Sequence, residues 1–241
     1  MSKPLLIIIG ADKGGVGKTT VSRTVLDYFD ASGFSYRAFD TESPNGVLKR
    51  FFPRNTDVID LATVPDQMKV FDTLSTEQIS VIDVRAGLLS PTLKTLADVG
   101  LLDAVKTGQV NLIVMHVLGA SVASLSEVKE TSAIIEGAKY FLVKNHINGS
   151  TFFEWDAAAH DAVFKDVGDG IVEIPLLDPR ANEDVDTSGV PFRAFIANEK
   201  ADGSTANNSF TLRGYVRTWL KTVCREFDRI GLNVMAGATV L

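Results

Sequence analysis

The sequence is poor in the residues that build sulfur or histidine chemistry. A single cysteine, Cys224, stands among 241 residues. It cannot close an internal disulfide or build a thiolate cluster, which excludes a disulfide-stapled scaffold and an iron–sulfur centre. A reducing cytoplasm is the simplest compartment. The three histidines, His116, His146 and His160, lack metal-ligand spacing and read as structural or surface residues. No stretch approaches the ~20 apolar residues of a membrane span. The opening MSKPLLIIIG is too short for one, and a glycine-rich loop follows it rather than a small-residue cleavage site. Net positive charge is also missing: 24 Lys and Arg face 30 Asp and Glu, a formal charge of −6. That excludes a chain that coats nucleic acid with its whole surface, although a local basic stripe remains open. No repeat and no dividing linker is visible, so one domain over residues 1–241 is expected.

What is present is a regular alternation. PLLIIIG is a continuous apolar run, as in a strand covered on both faces. From Lys18 to about Ala31, Val21, Val25, Leu26 and Phe29 recur at helical spacing, and Gly33 can end that helix. FSYRAFD, TDVIDLATV, QISVIDV, QVNLIVMHV, AKYFLVKNH and GIVEIP read as further strands. Helical stretches are expected around 91–107, 120–136 and 153–165. Strand alternating with helix predicts an α/β fold with a mainly parallel, twisted sheet flanked by helices. Residues 198–209 are polar and read as a mobile loop. A last helix is expected from Phe210 to about Ile230, with Leu212, Tyr215, Val216, Trp219, Leu220, Val223, Phe227 and Ile230 on its apolar face, and a patternless tail over 231–241.

Between the first strand and the first helix lies ADKGGVGKTT, residues 11–20. A strand, a glycine-rich turn and a helix N-terminus make an anion site of inward-pointing N–H groups. Gly14, Gly15, Val16 and Gly17 let the backbone approach phosphate oxygens. Lys18 would reach the β- and γ-phosphates, Thr19 would place its hydroxyl on Mg²⁺, and Thr20 would help hold the α-phosphate. The usual first glycine of such a loop is replaced by Asp12, and a second lysine, Lys13, precedes the glycines.

This loop, K-G-G-x-G-K-T, resembles the ParA/MinD group of P-loop ATPases with a deviant Walker A motif. The resemblance implies a P-loop NTPase fold, ATP and Mg²⁺, partner-stimulated hydrolysis of ATP to ADP and phosphate, and a homodimer in the ATP-bound state. It assigns Lys13 to the phosphates of the nucleotide held by the neighbouring subunit. In DVRAG, Asp83 takes the Walker B place, holding Mg²⁺ through a water, and Gly87 would put its N–H near the γ-phosphate. The family proline is replaced there by Arg85.

In FDTESPNG, Asp40 and Glu42 take the places of the two acids of switch I. Asp40 is a candidate for catalysis and the metal, and Glu42, one methylene longer than the family Asp, for orienting the attacking water. DTESPN is also similar to a plasmid-borne branch, the StbB/TraL-like proteins of stability and conjugation. Asn145 in FLVKNHING would contact adenine, its amide offering both donor and acceptor. Pro175, with Leu176 and Leu177, would pack against the base.

On the last helix, Arg213, Arg217, Lys221, Arg225 and Arg229 recur every four residues. They form a basic stripe suited to nonspecific contact with DNA phosphates, diluted by Glu226 and Asp228. The tail lacks the basic-apolar helix of membrane-targeted members. The reading is thus an ATP-switched dimer that positions a cargo such as plasmid DNA, a conjugation factor or a cellular complex. The alternatives are a P-loop synthetase of related fold and an ATP-binding module with little hydrolysis.

Overall fold

The computed structural model describes residues 3–119, 123–146 and 170–238. Seven parallel strands form one sheet: β1 (Leu5–Gly10), β2 (Tyr36–Asp40), β3 (Thr56–Val58), β4 (Ile79–Asp83), β5 (Asn111–Val117), β6 (Lys139–Asn145) and β7 (Ile171–Ile174). Their spatial order is β3-β2-β4-β1-β5-β6-β7. Central β1 is buried along its whole length. Its alternate residues feed two cores. Leu5, Ile7 and Ile9 enter one with Phe29, Phe227 and Trp219, while Leu6 and Ile8 enter the other with Leu93 and Leu96. A strand sandwiched between two helical layers must be apolar at every position, which is why PLLIIIG carries no alternation.

The helices among the described residues are α1 (Lys18–Ala31), α2 (Val47–Phe51), α3 (Val64–Thr73), α4 (Leu89–Asp98), α5 (Leu101–Lys106) and α6 (Ala123–Ser132), followed by α7 (Pro179–Ser188), α8 (Phe192–Ala197), α9 (Phe210–Arg229) and α10 (Leu232–Met235). On α9, Val216, Trp219, Leu220, Val223 and Phe227 are buried. Each contributes about 1.5–3 kcal/mol if fully withdrawn from water. They seat this helix beside α1 on one face of the sheet.

Several expectations change. TDVIDLATV is a strand only over Thr56–Val58; the chain then turns and enters α3, capped by the Thr63 hydroxyl with Pro65 in the first turn. The 91–107 stretch is two helices, broken at Gly100, whose φ of 79° ends the first. Of the 120–136 stretch, Ala123–Ser132 is helical, and 120–122 lie outside the described residues. The helix expected at 153–165 lies outside the described residues. Polar residues 198–209 carry hydrogen bonds of their own. An antiparallel bridge joins Glu199 to Thr205, and Asn198 accepts the amide of Ala206 at 2.7 Å and, through its side chain, that of Asn208 at 2.9 Å. Tyr215 leaves the apolar face of α9 and is 53 % exposed. The tail gains the short helix α10, held by the buried Leu232.

The register matters most for function. β2 and β4 run in step so that Asp40 lies beside Asp83, and β1 lies in step with β4 so that Ile9 is also opposite Asp83. The carboxyl ends of the three strands therefore open at one edge, which is where ligands of parallel α/β sheets gather.

Candidate functional site

At that edge the chain leaves β1, crosses residues 11–17 and enters α1. Gly17 stands at the helix N-cap with φ 84°, a left-handed conformation that side chains resist. It provides no side-chain cap, unlike Thr63, Asp178 and Ser209 at the starts of α3, α7 and α9. The first N–H groups of α1 are thus left for an external acceptor, at the positive end of the helix dipole.

A cleft of about 390 Å³ lies against this turn, lined by Gly15, Gly17, Lys18, Thr19, Thr20, Asp40, Glu42, Val47, Asp83 and Arg85, among others. Three segments distant in sequence therefore meet in one place. A larger cleft, about 450 Å³, opens elsewhere between Phe51–Asn55, Gly189–Pro191 and Glu199–Gly203. It includes Pro191 at the start of α8, whose first amides, those of Phe192 and Arg193, are already taken by Asp27.

Lys18 donates to the Lys13 carbonyl at 3.3 Å. Burial pulls its pKa down, opposed by the charges of Asp83, Glu42 and Asp12. Asp83 is 4 % exposed. It accepts the Ser22 hydroxyl at 2.9 Å and is also hydrogen-bonded to Thr19. Burial above all, with neighbouring Asp40, pushes Asp83 up to about 7, and the hydroxyls and Lys18 pull it back. A buried carboxylate next to a threonine hydroxyl is the oxygen-donor set a hard divalent cation takes. A cation there would favour the ionised carboxylate. Among the described residues no cluster of three or more His, Cys, Asp or Glu forms a self-sufficient metal cage. Thr19 and Asp83 are the residues here that could hold such a cation.

Asp40 has a task that the sequence did not suggest. Its Oδ1 accepts the amide of Glu42 at 2.9 Å, and its Oδ2 accepts those of Leu48 at 2.7 Å and Lys49 at 3.2 Å. It caps α2 from eight residues upstream. The chain crosses over this carboxylate at Gly46, with φ 64°; a methyl group there would lie 2.5 Å from Val58 and 3.0 Å from the Asp40 oxygen. Glu42, by contrast, is exposed on the cleft wall.

Lys13 is exposed and is not part of the cleft lining. Its stem lies over Gly119, where an added methyl would come within 2.9 Å of Cδ. Gly14 approaches Ala86 of the second loop. Gly87, with φ 79°, turns the chain in that loop just beyond the lining residues Arg85 and Ala86. Asn145 lies beneath the turn, 2 % exposed, and donates to the carbonyls of Val16 at 3.2 Å and Gly17 at 3.1 Å. Its donors brace the phosphate loop. Pro175 follows β7, and its carbonyl accepts the Trp219 indole at 2.7 Å; Leu176 beside it is 53 % exposed and Leu177 is buried.

Sequence reasoning missed Ser22, one turn after Lys18 on the same side of α1, and noted Asp12 only as a missing glycine. Asp12 accepts the Ser90 hydroxyl at 2.6 Å and the Ser90 amide at 3.3 Å, tying the phosphate loop to the start of α4. His116 is wholly buried, bonded to Tyr140 at 2.6 Å and lowered to about 4 by burial, a neutral structural histidine. His146 is within 3.9 Å of Glu173. His160 lies outside the described residues.

Of the basic stripe, Arg217, Lys221, Arg225 and Arg229 are exposed. Arg213 is engaged by the Ile196 carbonyl, and Arg229 by Glu226 and the Ile171 carbonyl. Arg193, Arg213, Arg217 and Lys221 line a groove of about 650 Å³ between α8 and α9. Among the described residues no helix is long and apolar enough to cross a membrane.

No protein-family model matches this sequence, and no curated relative matches it. Solved structures do resemble it in fold. It is similar to the septum site-determining protein MinD of Pyrococcus horikoshii OT3, solved with Mg-ADP. The TM-score is 0.54 at 15 % identity, over 99 % of this chain and 100 % of that one. A ParA family ATPase from Chlorobium tepidum TLS gives a TM-score of 0.52 at 13 % identity, covering 91 % and 98 % of the two chains. A nucleotide-binding protein of Archaeoglobus fulgidus, in complex with ADP, gives 0.51 at 16 %, covering 76 % and 85 %. The parallel sheet flanked by helices is thus an α/β fold shared with these three structures. At these identities the likeness speaks to the fold.

Proposed function

We propose that this chain is an ATP-binding, slowly hydrolysing switch of the ParA/MinD type that dimerises around ATP and positions a cargo. The observation that supports it is the different placement of the two lysines. Lys18 lines the cleft with Thr19 and Asp83, whereas Lys13, five residues earlier, is not among the lining residues and lays its stem over Gly119. On this reading, a second lysine outside the cleft would serve a neighbour's phosphates once two chains meet around ATP.

Gly15, Gly17, Lys18, Thr19 and Thr20 would take the phosphates through N–H groups and one ammonium. Thr19 and Asp83 would hold Mg²⁺, which when bound offsets phosphate charge and orients the β- and γ-oxygens. Asp40 would act chiefly by holding α2 and so the segment that carries Glu42. Glu42, free to face the cleft, would orient the attacking water. Gly87 would offer its N–H to the γ-phosphate, and Asn145 would hold the loop while the base lies toward Pro175. Closure on ATP and release on hydrolysis would then follow from the order of the two loops.

The exposed Arg217, Lys221 and Arg225, with Arg213, support nonspecific DNA phosphate as one surface such a switch could ride on. One domain over the chain, a stimulating partner protein, a cytoplasmic setting and kinship with the plasmid StbB/TraL-like branch belong to the same proposal. A module that binds ATP with little turnover is the second reading, supported by the full engagement of Asp40 in capping. Phosphate release from Glu42→Ala and Lys13→Ala separates the two. Loss of release in both fits the switch, and release unchanged in both removes this site assignment.

A further inference from the structure

Thr41 stands between the two acidic positions of the first loop, yet its bonds all run to the second. Its amide donates to the Asp83 carbonyl at 3.1 Å, and its hydroxyl donates to the same carbonyl at 3.2 Å. That hydroxyl in turn accepts the amide of Arg85 at 2.8 Å. The side chain is buried, 6 % exposed. Paired residues of β2 and β4 end at Asp40 and Asp83, so Thr41 continues the connection beyond the sheet and into the loops. At the far end of the second loop, Asp12 holds both the hydroxyl and the amide of Ser90. Residues 84–89 are therefore strung between a side chain of the first loop and a side chain of the phosphate loop, with Gly87 at their middle.

We propose that Thr41 is a positioning residue that welds the two switch loops into one unit, with Asp12 closing the far end, so that a γ-phosphate sensed by either loop is reported to both. This rests on the ATP-switch reading above. The argument is one of hydrogen-bond inventory. A hydroxyl is the smallest side-chain group that can accept from Arg85 and donate to Asp83 at once. Valine fills the same volume and does neither, leaving the Arg85 amide without its partner.

The test uses the full chain as Thr41→Val and Thr41→Ser. The first readout is hydrogen exchange at the Arg85 amide in nucleotide-free protein. Protection should fall about tenfold in Thr41→Val and be kept in Thr41→Ser, as for loss of one hydrogen bond. The second readout is the ratio of Kd for ADP to Kd for a non-hydrolysable ATP analogue. Thr41→Val should keep its ADP affinity and lose most of any preference for the analogue, and Thr41→Ser should restore it.

Unchanged exchange at Arg85 overturns the weld. Lost protection with an unchanged ratio overturns its signalling role. A wild-type protein that binds neither nucleotide overturns the functional reading and the coupling with it, while the exchange arm still reports whether Thr41 holds Arg85. Should Thr41→Val fail to fold, Ser90→Ala loosens the same unit from its other end. A kept ADP affinity with a lost preference is then expected, and an unchanged ratio contradicts the proposal.

Discussion

Replacing Asp40 by alanine should destabilise the nucleotide-free protein, which a purely catalytic or metal-binding carboxylate would not do. Three backbone N–H groups converge on Asp40, from Glu42, Leu48 and Lys49, at 2.9, 2.7 and 3.2 Å. The bond to Leu48 is buried, and those to Glu42 and Lys49 are partly buried. Water can replace the carboxylate more readily at the latter two. A buried donor left without a partner costs about 1–3 kcal/mol. At the partly buried Lys49 amide the loss is that of an ordinary helix cap, about 1 kcal/mol. Helix α2 has five residues, too few to persist without such support.

The sum is about 3 kcal/mol, or roughly a 10 °C drop in Tm for a chain of this size. Asp40→Asn keeps an oxygen for Leu48 and Lys49 but turns an N–H₂ group on the Glu42 amide. About a third to a half of the loss is expected. Urea unfolding of the three proteins without nucleotide gives the comparison, and amide exchange at Leu48 locates it. If Asp40→Ala matches or exceeds the wild type in stability, the capping argument is wrong, and a carboxylate held for chemistry alone becomes the better account.

Other outcomes follow from the same geometry. Asp27 is enclosed and accepts the amides of Phe192 and Arg193; burial, against those amides and Arg23, pushes it up to about 7. A carboxyl raised by folding holds its proton more tightly in the native state, so its contribution falls as pH rises from about 4 through about 7. Asp27→Asn should therefore gain stability relative to the wild type across that window in urea titrations, and a pH-independent difference refutes this. Gly46→Ala should cost about 1–3 kcal/mol through contact with Val58 and Asp40 and lower nucleotide affinity, measured by unfolding and by titration with ADP. Arg217→Glu with Lys221→Glu should leave ADP binding intact and abolish any salt-dependent retention on duplex DNA in a filter or mobility assay, and retention unchanged removes α9 from that role.

The strands were legible because a doubly covered parallel sheet writes itself as apolar runs. PLLIIIG, QISVIDV and QVNLIVMHV are all strands of the sheet. Helices α1 and α9 were legible because their buried residues recur at helical spacing. Helix α2 was not, since its cap is Asp40, which reaches it through space and not from the adjacent position. Helices α7 and α8 were missed for a related reason: the first buries only Ala181 and Val185, and the second is six residues long.

The phosphate loop and the pair Asp40 and Asp83 were legible as residues at strand ends, and the register placed them side by side. Thr41, Ser22 and Ser90 act across loops, at sequence distances of 44, 61 and 78. No local spacing announces such contacts. The Asp12 position shows the limit well: from sequence it was a departure from a pattern, and in the fold it is a hydrogen-bonded tie to α4.

The account stands or falls on the separate duties of Lys13 and Lys18. Light scattering of the wild type and of Lys13→Ala, each without nucleotide, with Mg-ADP and with Mg and a non-hydrolysable ATP analogue, tests it most directly. The wild type should double in mass only with the analogue, and Lys13→Ala should bind the analogue yet stay monomeric. A mass that is the same in all three states, or a Lys13→Ala protein that dimerises like the wild type, would contradict it.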